Sequence, residues 1–365
     1  MTRRTALRCG RCGGAIAWLA CGIALLSSAV ALGQASDRVI AVGVTITGKV
    51  VGSSANGIEI EDRNGDVKKV PIDKVREVQF GGEPKSLRDA RSFVARGRGA
   101  DALEELAKVD KAELDGAEPA VLAEMQFVKA AGEARAALDS GDKIDEAAAI
   151  VSGFLAKNPK SHHTYDLQQL LGDLLARSGK FGDAASAYAV LAKGPAAFQV
   201  RAATAKAGLF FAQEKYDDAI KEYDAALKIT ADDDESVAQK QAALLGKARS
   251  LSRLGKHADG VALIETIIKQ ANPEAKDLLA KAYTTLGSIY RAMGGKDQDA
   301  LIAYLTVDLV YNSVAESHAE ALYNLAELWE NGKNPERAIR SRENLTTAYP
   351  ASPWKKKLEA GGKAL

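Results

Sequence analysis

The sequence predicts a mainly α-helical fold, a solenoid of about seven helical hairpins preceded by a small β module and an export signal. Three observations carry this. From about residue 90 to residue 350 a helical-hairpin phrase returns, clearest as LLGDLLARSGKFGDAASAYAVL (170–191), AKAGLFFAQEKYDDAIKEYDAAL (205–227) and LYNLAELWENGKNPERAIRSRENLTTAYP (322–350). Such a unit buries its apolar face only by stacking on its neighbours, which favours a docking surface over a catalyst. From Arg38 to about Phe80 the apolar period changes to two, the period of strands. Before that, a basic start leads into an apolar run and then small residues.

Residues 1–35 have the three parts of a secretory signal: MTRRTALRCGR, the apolar stretch Ala15 to Leu32, and cleavage positions after Gly33 or Ala35. The alternative is an uncleaved anchor, because the stretch approaches the ~20 apolar residues that span a bilayer. This is the membrane contact the sequence predicts. TRRTALR resembles the twin-arginine export signature, with Ala6 where a bulky apolar residue is preferred. Cys21 only loosely resembles a lipoprotein box, since a long apolar run follows it.

All three cysteines, Cys9, Cys12 and Cys21, lie in this segment, so a mature chain could rely on neither disulfides nor thiolate metal sites. The segment also holds Arg3, Arg4, Arg8 and Arg11 and no acid. Its removal leaves 45 basic against 48 acidic residues, a net charge of −3 where the whole chain has +1. No global field directs such a protein to nucleic acid or to an anionic surface.

In the β module (36–82), VIAVGVTITGKVVG reads as one long strand. GIEIEDR and DVKKVPID follow, joined by Asn64-Gly65, a pair suited to a two-residue turn with positive φ at both central positions. VREVQF (75–80) makes a fourth strand. Ile58, Ile60, Val67, Val70, Ile72, Val75, Val78 and Phe80 are the expected buried face, with Glu59, Glu61, Lys68 and Glu77 between them. Four or five short strands close only a small barrel. The strand pattern resembles a bacterial SH3-like or Sm-like small barrel. Small barrels of this kind bind peptides or RNA in some proteins, but with no aromatic cluster to stack a base the expected role is a structural spacer or a cap over the first helical repeat. GGEPKS (81–86) marks the boundary, with Ser86 as an N-cap.

The third hairpin has a large–small pair at Leu171 and Gly172, then Leu175, a turn at Gly179, Phe181, Ala184, Tyr188 and Leu191. The seventh repeats this spacing through Leu325, Ala326, Trp329, Ala338, Leu345 and Pro350. The fourth keeps Tyr216, Ala219, Tyr223 and Ala226; the fifth Leu251, Gly255 and Ile264, with Gly260 for the usual alanine; the sixth Leu286, Gly287, Tyr290, Ala300 and Tyr304. The first two, around Ala102 and Ala147, match least. Residues 86–350 thus resemble tetratricopeptide repeats (TPR), pairs of antiparallel helices in which small residues let backbones approach to ~8–10 Å. The small positions recur every 35–45 residues instead of the family's 34, so extra residues lie in turns or lengthened helices. The rival architecture is an ordinary helical bundle. The ending AYPASPW resembles the repeats of bacterial envelope proteins such as those of the Tol-Pal and outer-membrane assembly systems. Residues 351–365, with Lys355, Lys356 and Lys357, are expected to cap the last repeat.

The sequence offers little catalytic chemistry. The histidines are His162, His163, His257 and His318, and the adjacent pair, read as helical, would not share a face. No H-E-x-x-H, G-x-S-x-G, Walker or Rossmann pattern appears. ADDDES (231–236) lacks the spacing of a calcium loop. No enzyme activity, cofactor, metal or nucleic-acid partner is therefore expected. The family resemblance implies a concave groove lined by the first helix of each unit. That groove would show Asp166, Gln169, Asp173 and Arg177, then Arg201, Thr204 and Phe211, then Arg249 and Arg253, then Lys281 and Arg291, then Tyr323, Glu327 and Glu330. Its middle is basic and its ends acidic. The expected ligand is a peptide or protein segment, acidic or ending in a carboxylate, held by arginine forks; the alternative is a solvated face. The function expected is a non-catalytic interaction scaffold, exported to the periplasm or cell envelope. The alternative, an accessory or carbohydrate-binding factor for cell-wall enzymes, needs exposed aromatics, for which Phe211, Tyr323 and Trp329 are the candidates.

Overall fold

The computed structural model describes residues 36–231 and 233–361; the segment 1–35, expected to be an export signal, and the cysteines lie outside the described residues. Five strands, β1 (Asp37–Ala41), β2 (Val44–Ser54), β3 (Gly57–Asp62), β4 (Val67–Pro71) and β5 (Val75–Gln79), form one antiparallel sheet in the order β4-β3-β2-β1-β5. A 3-10 turn, Ile72–Lys74, links the two edge strands, which do not pair with each other. Where the strand pattern predicts a small barrel, the strands form a five-stranded sheet whose edges do not close.

Three details depart from the strand pattern. The long first run is two strands, because Gly43 takes φ +76° and folds β2 back on β1. At Asn64-Gly65 only the glycine has positive φ. Asp62 organises a longer turn, its carboxylate accepting from the backbone N–H of Asn64 (2.9 Å) and Asp66 (3.2 Å). Val67 is exposed instead of buried. It lies opposite Glu61, three residues from buried Val70, and residues an odd number apart along a strand face opposite ways.

Seven helical hairpins follow: α1 (Lys85–Ala95) with α2 (Gly99–Leu106), α4 (Pro119–Ser140) with α5 (Ile144–Lys157), α6 (Thr164–Arg177) with α7 (Phe181–Leu191), α8 (Ala196–Ala212) with α9 (Tyr216–Lys228), α10 (Asp234–Arg253) with α11 (His257–Gln270), α12 (Lys276–Met293) with α13 (Asp297–Val310), and α14 (Ala315–Asn331) with α15 (Pro335–Ala348). A short α3 (Lys111–Leu114) separates the first two pairs, and α16 (Pro353–Glu359) ends the array. Helix α1 starts before Ser86, with Pro84 at its N-cap. The irregular repeat length is explained by long first helices, with 20 residues in α10 and 18 in α12 against 14 in α6. Among the described residues no helix is long and apolar enough to cross a membrane.

The recurring small residue seats a tyrosine. A Cβ on Gly172 would lie 2.3 Å from the Tyr188 ring, one on Gly246 2.3 Å from Tyr223, and one on Gly287 2.7 Å from Tyr304. These are close approaches that only glycine allows. The sheet does more than cap the first hairpin. Ile58, Ile60 and Phe80 share one core with Leu87 of α1, Phe127 of α4 and Phe154 of α5. Ile72 packs on Tyr165 and Phe198, at the starts of α6 and α8. The sheet therefore rides along the rim of the first four hairpins. At the other end, Trp354 and Leu358 of α16 cover Leu322, Tyr323 and Leu345, and Lys356 Nζ donates to the Ser140 carbonyl (2.5 Å), beside Asp142 at 3.2 Å. The last helix thus meets the turn of the second hairpin.

Candidate partner-binding groove

Successive first helices (α4, α6, α8, α10, α12, α14) pack on one another, whereas successive second helices make at most glancing contact. The first helices therefore lie at the smaller radius and line the concave side, where the arginines stand.

Those arginines differ in what they touch. Arg201 bridges Asp166 (2.9 Å) and Glu235 (3.3 Å), bonds Gln169 and lies over Phe198. Arg291 bonds Glu327 (2.8 Å) and Asn324. Both are occupied by neighbouring first helices. Lys281 pairs with Asp277 on its own helix (3.0 Å). Asp173 accepts from the Tyr188 hydroxyl (2.6 Å); burial pushes its carboxyl up, and burial and then Asp173 push the Tyr188 phenol up. It is tied to packing within its own hairpin. Arg177 is exposed at the end of α6, near Gly141. Arg249 and Arg253, one turn apart on α10, are exposed and form no ion pair among the described residues, although the Arg249 charge reaches the Glu320 carboxyl of α14. Arg249 lies over the Phe211 ring (5.1 Å to its centre). Nearby, the Tyr304 hydroxyl is buried with no hydrogen-bond partner among the described residues.

The pattern of pairing has a sequence signal. Asp166, Arg201 and Glu235 are 35 and 34 residues apart, and Arg291 and Glu327 are 36 apart. One repeat length carries a residue to the equivalent place on the next first helix, so opposite charges at that separation meet. One repeat beyond Arg249 and Arg253 stand Thr284 and Ser288, which offer no charge.

Of the aromatics expected for sugar stacking, Tyr323 is buried and Phe211 and Trp329 are half-buried. Tyr323 donates to Glu327 (2.6 Å), Phe211 lies beneath Arg249, and Trp329 lies beneath Arg337.

A second cluster went unread in the sequence. Arg91 of α1, 7% exposed in its side chain, bonds Glu124 of α4 through Nε (2.6 Å), forks onto Glu83 of the linker, and lies 3.4 Å from Glu77 of β5. Glu124 also accepts from His163 Nε2 (2.8 Å). Burial alone would raise the Glu124 carboxyl, but His163 and Arg91 outweigh it and hold the group well below the ordinary carboxylate range. His162 and His163 sit in a turn ahead of α6 and not on a helix, so their rings converge with centres 3.8 Å apart. Asn158-Pro159 and Ser161 signal that turn. His162 Nδ1 contacts Ser53 of β2 (3.1 Å), while its Nε2 is buried with no partner among the described residues. Burial, aided by His163, pushes its imidazole down to about 3. Glu124, His162 and His163 bring ligand-type atoms within 4.8 Å of one another. Both Glu124 oxygens already accept, one from the Arg91 cation, so the arrangement works as a hydrogen-bonded joint between sheet and helices.

The fold defined by these observations is a TPR-like α-solenoid with an N-terminal five-stranded sheet. Residues 170–234 match the family model described as tetratricopeptide repeat. A tetratricopeptide repeat protein from Parabacteroides merdae is 18% identical, with a TM-score of 0.50 over 76% of this chain and 95% of that one. A Rap protein complexed with competence and sporulation factor is 12% identical, with a TM-score of 0.50 over 75% and 78%. At these identities the likeness concerns the fold. No curated protein matches the chain at a significant level.

Proposed function

We propose that the protein is a non-catalytic scaffold of the bacterial cell envelope, exported by its N-terminal signal, that holds an acidic or C-terminal-carboxylate segment of a partner protein in its concave groove. The observation that carries this is the pair Arg249 and Arg253: two adjacent guanidinium groups exposed on a first helix, neither in ion-pair contact among the described residues, with Glu320 of α14 acting on Arg249 only from a distance. A carboxylate pairs bidentately with such a fork. The resemblance in fold to a Rap protein in complex with a factor supports a binding role for this architecture. Export rests on the basic, apolar and small segments of residues 1–35.

The test is capture of partners from an envelope extract on the whole chain and on the Arg249→Glu/Arg253→Glu variant, followed by affinity measurement with each captured protein. The expected result is a partner whose affinity falls by about tenfold or more in the variant, roughly 1.4 kcal/mol. A partner bound equally by both would remove the groove arginines from the reading.

A further inference from the structure

We infer that the cleft between β5 and the helical array is a second docking site, which takes an extended, acidic segment of a partner as a sixth strand on the edge of the sheet. This rests on the scaffold reading above and concerns a different surface. Arg201, at the cleft, and Phe211, beneath Arg249, are ten residues apart on α8, about 15 Å along the helix.

The two edges of the sheet are built differently. The β4 edge is defended: it carries Lys68, Lys69 and Pro71, and a proline has no N–H to offer a further strand. The β5 edge, Val75-Arg76-Glu77-Val78-Gln79, has no lysine and no proline. It pairs with β1 on one side, and on the other its backbone bonds no described element. An edge in that condition is a template for another strand. It opens on a cleft of about 380 Å³ whose far wall comes from α1, α4 and α8. Five residues of added strand would run about 16 Å along it.

The charge of the cleft selects what would add. Arg76, Arg96 and Arg135 line it, and none is in ion-pair contact among the described residues, with Asp139 of α4 and Asp173 of α6 acting on Arg135 only from a distance. The acids on the same walls are occupied. Asp166 and Glu235 hold Arg201, Glu77 holds Arg91, and Asp233 caps α10 through the Ser236 N–H (3.0 Å). Arg135 Nε is also buried with no acceptor among the described residues. A buried donor left unpaired is costly, and an incoming carboxylate would relieve it. Main-chain bonds to β5 would supply affinity, and acidic side chains at alternate positions, facing the arginines, would supply selectivity.

Randomised octapeptides displayed on phage, panned against the whole chain, test this. Enrichment of Asp and Glu at alternate positions is expected. The synthesised peptide should then protect β5 backbone amides from hydrogen exchange. N-methylation of the peptide at alternate residues should weaken binding about tenfold or more on the pairing side and little on the other. Arg76→Glu/Arg96→Glu, both at exposed positions, should cost a similar factor, with Arg135→Gln as an independent check. Enrichment without acidic residues, indifference to N-methylation, or unchanged exchange in β5 would each overturn the inference. A peptide lost only in Arg249→Glu/Arg253→Glu and protecting α10 would sustain the groove and end the cleft site; one lost only in the cleft variants would do the reverse.

Discussion

The N-terminal and C-terminal halves of this array are held together in different ways. From the sheet to α6 the buried residues form one continuous cluster, Val39 through Leu174, crossed by the buried Arg91–Glu124–His163 joint. From α8 onward the core divides into smaller clusters, shared by neighbouring hairpins or, at the end, by the seventh hairpin and α16. The second pattern is that of a solenoid, whose stability sums nearest-neighbour terms. The first is that of a globular domain. The sheet makes the difference, since it touches four hairpins at once.

Breaking the buried joint should separate the two halves most strongly. Glu124→Ala leaves the Arg91 cation buried with less compensation, and removal of one partner from such a pair typically costs about 3–5 kcal/mol. The described tryptophans, Trp329 and Trp354, both lie at the C-terminal end. In urea, far-ultraviolet circular dichroism should therefore show an early transition in this variant, with the tryptophan fluorescence transition little moved. If both move together, the array unfolds as one unit, and the two halves do not differ in the way proposed.

Acid should act on the same joint. His162 is held neutral, its folded pKa near 3 against an ordinary 6.5. Between those values the unfolded chain takes up a proton that the folded chain does not. Stability contributed by His162 is thus complete above pH 6.5 and falls as pH drops, by at most about 1.4 kcal/mol per unit. Glu124, whose folded value is depressed from 4.5, adds a loss in the same direction at lower pH. The groups facing His162 are His163, Glu124, Asp166 and Arg91. Denaturation midpoints of His162→Gln between pH 7 and 4.5 should depend less steeply on pH than those of the parent. Identical slopes would mean that the buried imidazole is protonated in the fold after all.

The hairpins were legible because their signals are local: a glycine or alanine, a tyrosine one helix away, and a turn residue between. Gly172 and Gly287 seat the tyrosine of the following helix, as their spacing implies, whereas Gly246 seats Tyr223 of the preceding hairpin. The joint was not legible because its members come from α1, α4 and a turn, and because the histidine pair was referred to helical geometry. Arg201 and Arg291 lie on first helices, but their occupation by Asp166, Glu235 and Glu327 depends on the neighbouring repeats. The tyrosine seats also give a contrast within one helix class. Gly246→Ala forces a methyl against Tyr223 and should destabilise by about 1–3 kcal/mol. Gly208→Ala, in α8, meets nothing within 4 Å and should stabilise by about 0.5–1 kcal/mol through helix propensity. Thermal midpoints moving the same way in both would mean that the tyrosine seats yield freely.

The smallest effect concerns the turns. In the third and fifth hairpins the second residue after the first helix is Gly179 or Gly255, with φ near +75°. In the fourth and seventh the equivalent left-handed position is held by Glu214 (φ +60°) and Lys333 (φ +57°). A side chain there strains the backbone, and glycine does not. Glu214→Gly and Lys333→Gly should therefore each raise stability, by about 0.5–1 kcal/mol once the extra chain entropy of glycine is offset. Because stability in a solenoid passes only between neighbours, Lys333→Gly should move the tryptophan fluorescence transition, and Glu214→Gly should move it less. Equal shifts from the two would show that the C-terminal hairpins are coupled over a longer range than their separate clusters imply.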